Sequence, residues 1–156
     1  MDTKFLAHVE ALQPLLQRLL EMQPVKPDSL PEIMPTAGIY LLSEGAHHLY
    51  VGRSNNIGGR LGRHSKPDAT HQMASFAYRL ARESAGESFT SFRKGGGACA
   101  TQIEDPVFAA AFLEAKARIR KMDARFVAEP DPTLQALLEI YVAIVLATPY
   151  SDFDNH

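Results

Sequence analysis

The sequence predicts an α+β fold, a small three-stranded antiparallel sheet flanked by helices. Two short β-type runs stand back to back at residues 37 to 43 and 47 to 53, parted only by Glu44, Gly45 and Ala46, which is hairpin spacing. A third short run, ARFVAE, lies at 124 to 129. Around them apolar residues recur with the helical period, and two helices open with Asp-Pro, at 105–106 and 131–132. There the carboxylate can cap and proline fits the first turn, where its missing N–H is not needed.

At 156 residues the chain suits one domain with additions and can bury a real core. Apolar residues make up 46% and charged residues 22%, an ordinary globular balance that excludes a disordered chain. No run reaches the roughly 18 apolar residues of a membrane span. The longest candidate, residues 136 to 147, is interrupted by Glu139. No secretory leader is visible, and membrane association is not expected. The lone Cys99 excludes an intramolecular disulfide and a cysteine-based zinc site, so a reducing, cytoplasmic compartment is expected. The net charge of −2 argues against a protein that coats nucleic acid generally. Its distribution is uneven. Between Arg53 and Lys94 eight Arg and Lys face three acids, so this segment carries +5 and the remainder −7. That pattern suits either local contact with a polyanion or a solvated helix surface.

The elements follow in order. Residues 3 to 22 carry Phe5, Val9, Leu12, Leu16, Leu19 and Leu20 as a helical stripe, with a kink or break expected at Pro14. QPVKPDSLPEIMP then places four prolines in thirteen residues, an extended linker. After the hairpin, Ser54 or Asn55 can cap a helix that turns Ile57 and Leu61 inward and ends near Ser65, before Pro67. A further helix is predicted near 72 to 84, with Met73, Phe76, Ala77 and Leu80 inward. GGGACATQ, at 95 to 102, reads as a loop or weak edge strand and lacks the Lys-Ser/Thr ending of a phosphate-cradling loop. The helix opened by Asp105 and Pro106 carries Phe108, Phe112, Ala115 and Ile119, with Lys116, Arg120 and Lys121 read as a solvated face or a secondary DNA contact. The helix opened by Asp131 and Pro132 is almost wholly apolar, and the tail TPYSDFDNH is irregular.

The hairpin holds the first candidate site residues. A turn centred on Gly45 would pair Tyr40 with Tyr50, and directly opposed residues share a face. The two phenols would then stand side by side, with Ile39, Leu41, Leu49 and Val51 on the opposite face. Taken alone, such a pair is better explained by plain aromatic packing. Arg53 follows Tyr50 by three residues, and the next helix presents Arg60 and His64 one turn apart, with Arg63 adjacent. Gly58, Gly59 and Gly62 weaken that helix by up to about 1 kcal/mol each, which suggests close approach of its backbone to something, such as a phosphodiester. Two phenols, two or three guanidiniums and an imidazole compose a site for an anionic substrate. Glu139, amid apolar neighbours, is either a metal ligand or part of a narrow exposed stripe with Gln135 and Ala143. His47 and His48 point to opposite faces of a strand, which disfavours a metal pair, and no Gly-x-Ser-x-Gly elbow supports a serine hydrolase.

GIY at 38–40 and YVG at 50–52, with Arg60 ten residues after the second tyrosine, His64 one turn later, Glu139 on a late helix and Asn155 near the end, resemble the GIY-YIG nuclease superfamily. The resemblance covers residues 37 to 66 and 132 to 155, about a third of the chain. It implies a metal-dependent endonuclease acting on DNA, RNA not being excluded. Glu139 then corresponds to the one protein ligand of a divalent cation, Mg²⁺ or Mn²⁺, with water and phosphate oxygens completing the shell. Tyr50 corresponds to the general base, Tyr40 to a positioning phenol, Arg60 to the group that stabilises phosphoryl charge, and His64 to a proton shuttle. Which of Tyr50, Tyr40 and His64 takes the proton stays open. Gly52 would permit a strand-to-helix turn, and Arg53, Arg63 and Asn155 would join Gly52 in binding substrate. Arg53 stands where several members carry lysine, which keeps charge but not geometry. Residues 1–35 form an N-terminal helical extension and Pro-rich linker, and 36–156 the GIY-YIG-like domain with an inserted helical pair at about 67–124. The insertion or the N-terminal helix could hold a protein partner. The competing reading is a catalytically degenerate module of the same fold that binds nucleic acid or protein.

Overall fold

A computed structural model describes residues 1–68, 75–86, 105–151 and 153. Among the described residues the chain forms α1 (Thr3–Glu21), β1 (Gly38–Glu44), β2 (His47–Ser54), α2 (Ile57–Ser65), α3 (Ser75–Ser84), α4 (Pro106–Arg120), β3 (Asp123–Ala128) and α5 (Pro132–Leu146). The α+β architecture with a three-stranded antiparallel sheet is as expected. Residues 72–74, the glycine-rich 95–102 and Asn155 lie outside the described residues.

β1 is the central strand, in the order β2-β1-β3, and both pairings are antiparallel. Strand alternation sends its side chains to two separate cores. Ile39 and Leu41, with Val51 and Val127, pack under α1 and α5 against Leu12, Leu16, Leu19, Leu138 and Val142. Tyr40 and Leu42 pack on the other face against Ile57, Leu61, Phe76, Phe108, Phe112 and Ile119 of α2, α3 and α4. The expected helical pair at 67–124 therefore closes one of the two cores.

The hairpin register corrects the expected Tyr40–Tyr50 pair. The connection is a two-residue turn, Gly45-Ala46, because Glu44 pairs with His47. A shift between Leu42 and Ser43 then leaves Leu49 as the extra residue of a β-bulge. Beyond it Leu42 faces Tyr50, Leu41 faces Val51 and Tyr40 faces Gly52. The bulge also turns Leu49 away from Val51, so it packs with the Tyr40 core and not on the expected opposite face.

Other expectations shift by local chemistry. Of the kink or break expected at Pro14, no break occurs: α1 continues through the proline, and Leu12, Leu15, Leu16 and Leu19 bury its inner face on both sides of it. The α2 cap is Asn56, whose Oδ1 accepts from Gly59 N–H at 3.1 Å. Ser54 instead accepts from Asn56 N–H at 2.9 Å and closes the turn before the helix. Lys116 is not on a solvated face: it is 1% exposed, its Nζ donates to the Pro67 carbonyl at 3.0 Å and lies over the Phe112 ring. The Asp105 and Asp131 caps each accept from a first-turn N–H, with proline beside them, as expected.

Both sheet edges are covered. On β3, Val25 of the Pro-rich segment exchanges two backbone hydrogen bonds with Ala124, at 2.9 and 2.8 Å. On β2, Tyr150 N–H donates to Leu49 O at 3.1 Å and Val51 N–H donates to Ser151 Oγ at 3.0 Å. Among the described residues no helix is long and apolar enough to cross a membrane.

Candidate functional site

Four of the expected site residues meet on the face of the sheet that carries α2. The Tyr40 and Tyr50 rings lie 6.1 Å apart, diagonal neighbours across the hairpin. The ring of Tyr40 crosses the strand directly over Gly52. A Cβ at position 52 would come within 2.5 Å of the Tyr40 oxygen and 2.7 Å of its ring carbon. Gly52 is therefore an interior residue of β2 that makes room for Tyr40, not the expected hinge of a strand-to-helix turn. Gly59 likewise makes room for the Asn56 cap, an internal reason for one of the three α2 glycines.

Tyr40 is fully buried, and its oxygen shares a 2.8 Å hydrogen bond with His64 Nε2. Burial, aided by the neighbouring Tyr50, holds the Tyr40 phenol well above its ordinary pKa against the opposing pull of Arg60. Burial and then the Arg60 charge push His64 down to about 3, so the imidazole is neutral throughout the physiological range. His64 Nδ1 is buried and has no hydrogen-bond partner among the described residues. A neutral, enclosed imidazole of this kind holds the Tyr40 phenol in place and takes up a proton poorly.

Arg60, one turn before His64, interacts electrostatically with the oxygens of both phenols. Burial would weaken its positive charge, yet the two phenolic oxygens outweigh that and hold its pKa above the ordinary value. Tyr50 is the more open phenol, half-buried where Tyr40 is enclosed. It stacks on Phe76 of α3 at 4.8 Å with the planes 8° apart. Phe76 was legible as an inward position of its helix; its service as a shelf under Tyr50 had no signal in the sequence.

Arg53 and Glu139 pair on the other face of the sheet, the one that carries α5, and the Arg60 charge is felt there as well. Arg53 leaves the strand toward α5, and its Nε donates to Glu139 Oε2 at 3.1 Å. Gln135 and Ala143 are buried, so the stripe they form with Glu139 faces inward, contrary to the exposed alternative. Gln135 Nε2 donates to the Glu129 carbonyl at 2.6 Å and to Asn55 Oδ1 at 3.4 Å, fixing the start of α5 to the β2–α2 connection one turn before Glu139. Burial raises the Glu139 pKa, and Arg53 and Arg60 only partly offset it. Arg63 is exposed on α2.

Of these side chains, Glu139 carries the carboxylate oxygen that a hard divalent cation would take. Glu139 is a fixed oxygen donor whose burial exceeds the compensation its neighbours provide, so added positive charge beside it is favourable. No cluster of three or more His, Cys, Asp or Glu suited to a metal occurs among the described residues, and such a cation would rely on Glu139 for its protein ligand. Two phenols with the Arg60 guanidinium offer groups for an oxyanion, Glu139 offers one for a cation, and Arg60 is electrostatically coupled to both phenols and to Glu139. No protein-family model, no curated protein and no solved structure matches this chain.

Proposed function

We propose that this protein is a phosphodiester hydrolase of the GIY-YIG type, a DNA endonuclease dependent on Mg²⁺ or Mn²⁺. The observation that carries the reading is the Tyr40–Tyr50–Arg60–His64 cluster beside the Arg53–Glu139 pair. In this reading Tyr50, the accessible phenol, first gives up its proton to solvent, and as the phenolate it directs the attacking water and receives its proton as the new P–O bond forms. The bond to the leaving nucleotide oxygen breaks, and that oxygen takes a proton from solvent. Arg60 stabilises charge accumulating on the phosphoryl oxygens, which a rigid cation does without reorganisation. His64 keeps Tyr40 aligned beside Tyr50, and Phe76 fixes the plane of the Tyr50 ring. Arg53 and Arg63 offer positive charge to the flanking phosphates. A divalent cation held by Glu139 would polarise a phosphoryl oxygen and lower the pKa of its water.

Incubation with plasmid, single-stranded, branched and RNA substrates in Mg²⁺ or Mn²⁺ tests the reading. Cleavage of at least one DNA form is expected, with Tyr50→Phe slowing it about 10²- to 10⁴-fold. Glu139→Ala should abolish it. Cleavage that survives both substitutions would remove these residues from the active site. Two observations favour the second reading, a binding module without activity: Glu139 is already paired with Arg53, and Tyr40 is enclosed. Retained DNA binding with no cleavage of any substrate would establish it.

A further inference from the structure

We infer that Arg53 masks Glu139, so that the cation and a substrate phosphate are taken up together. This deepens the nuclease reading and rests on Glu139 being the cation's ligand. The two side chains of the pair are unequal. That of Glu139 is 20% exposed and sits on a helix whose first turn Gln135 clamps to the Glu129 carbonyl and to Asn55. That of Arg53 is 49% exposed and donates to its partner through Nε, with the Arg53 backbone N–H also turned to the carboxylate. The carboxylate is the fixed member and the guanidinium the movable one.

A divalent cation approaching Glu139 meets a carboxylate whose Oε2 already accepts from a cation. It must either share that charge or displace the guanidinium into solvent. A phosphodiester changes the balance, because its oxygens match the planar donor fork of Arg53 and draw it off the carboxylate. Each ligand then removes an obstacle to the other, and the coupling is reciprocal by linkage. The pair would keep the site poor in cation until a polyanion arrives.

Mn²⁺ alone, titrated into the full chain and followed by the free-ion electron paramagnetic resonance signal, tests this without any cleavage. Arg53→Gln should bind Mn²⁺ about two- to fivefold more tightly than wild type, the range set by a partly exposed ion pair. Arg53→Lys, which keeps the charge, should bind as wild type does. Arg18→Gln, which removes an exposed charge on α1, should leave affinity unchanged. Arg53→Gln/Glu139→Gln should lose the binding. Affinity in Arg53→Gln no higher than in Arg18→Gln overturns the masking, while loss on Glu139→Gln keeps the cation ligand intact. Tightened binding that persists in the double variant places the cation elsewhere and overturns both the masking and the metal assignment.

Discussion

His64 is fully enclosed at the site, and its environment turns a familiar proton carrier into a positioning group. Its folded-state pKa of about 3 lies below the ordinary 6.5, so between these values the unfolded chain binds more protons than the folded one. Stability from this residue is therefore complete above about pH 6.5 and falls as the pH drops toward 3, by about 1.4 kcal/mol per unit. Between pH 6.5 and 5 the wild type should lose about 2 kcal/mol on this account. His64→Gln should not show that loss. Urea unfolding of both proteins at the two pH values, taken as the difference between them, cancels the contribution of the carboxylates. Equal pH dependence would mean that the imidazole is far more accessible than its place beside Tyr40 implies. The carboxylate of Glu139 illustrates what a sequence can express at this scale. A lone acid in an apolar helix was readable as an anomaly, but its resolution was not, because Arg53 lies 86 residues away in the chain.

At the scale of elements, the hairpin shows why a facing can be legible when a register is not. Residue parity placed Tyr40 and Tyr50 on one face, and they are on one face. The turn, however, has two residues and not three, which alone would oppose Tyr40 to Val51 and send the phenols to opposite sides. The Leu49 bulge adds a second one-residue shift and restores the shared face. Neither shift has a strong local signal: Gly-Ala serves a two-residue turn as readily as a longer one, and Leu49 looks like any strand residue. The helices were easier to read, because caps and apolar stripes are local, and Asp105-Pro106 and Asp131-Pro132 marked both starts. The close approach of Tyr40 to Gly52 yields a sharp test of the register. Gly52→Ala should cost about 1–3 kcal/mol, since the added methyl must displace a buried ring. Tyr40→Leu removes that obstacle, so the double variant should be at least about 1 kcal/mol more stable than the sum of the single losses predicts. Urea denaturation of the four proteins reads the coupling. Simple additivity would contradict the Tyr40–Gly52 opposition.

For the whole molecule, the sheet is so narrow that its two outer strands are both edges, and each could template pairing with another chain. Helices cover the faces but not the edges. Single residues from distant segments do that: Val25 seals β3, and Tyr150 with Ser151 seals β2. Such contacts have no periodicity, which is why a Pro-rich linker and an irregular tail gave no sign of them. The β2 edge also borders the candidate site, because Tyr150 packs its ring on Phe76, the shelf of Tyr50. Ending the chain at Thr148 should therefore expose the Leu49 and Val51 backbone and shift the protein toward larger, concentration-dependent species in light scattering coupled to size exclusion. Tyr150→Ala removes the ring but leaves the backbone over the strand, and its size distribution should match that of the full chain. If both variants associate alike, the ring and not edge coverage keeps β2 from pairing. If neither does, the strand is protected by its own bulge at Leu49, which already bends it away from a flat partner.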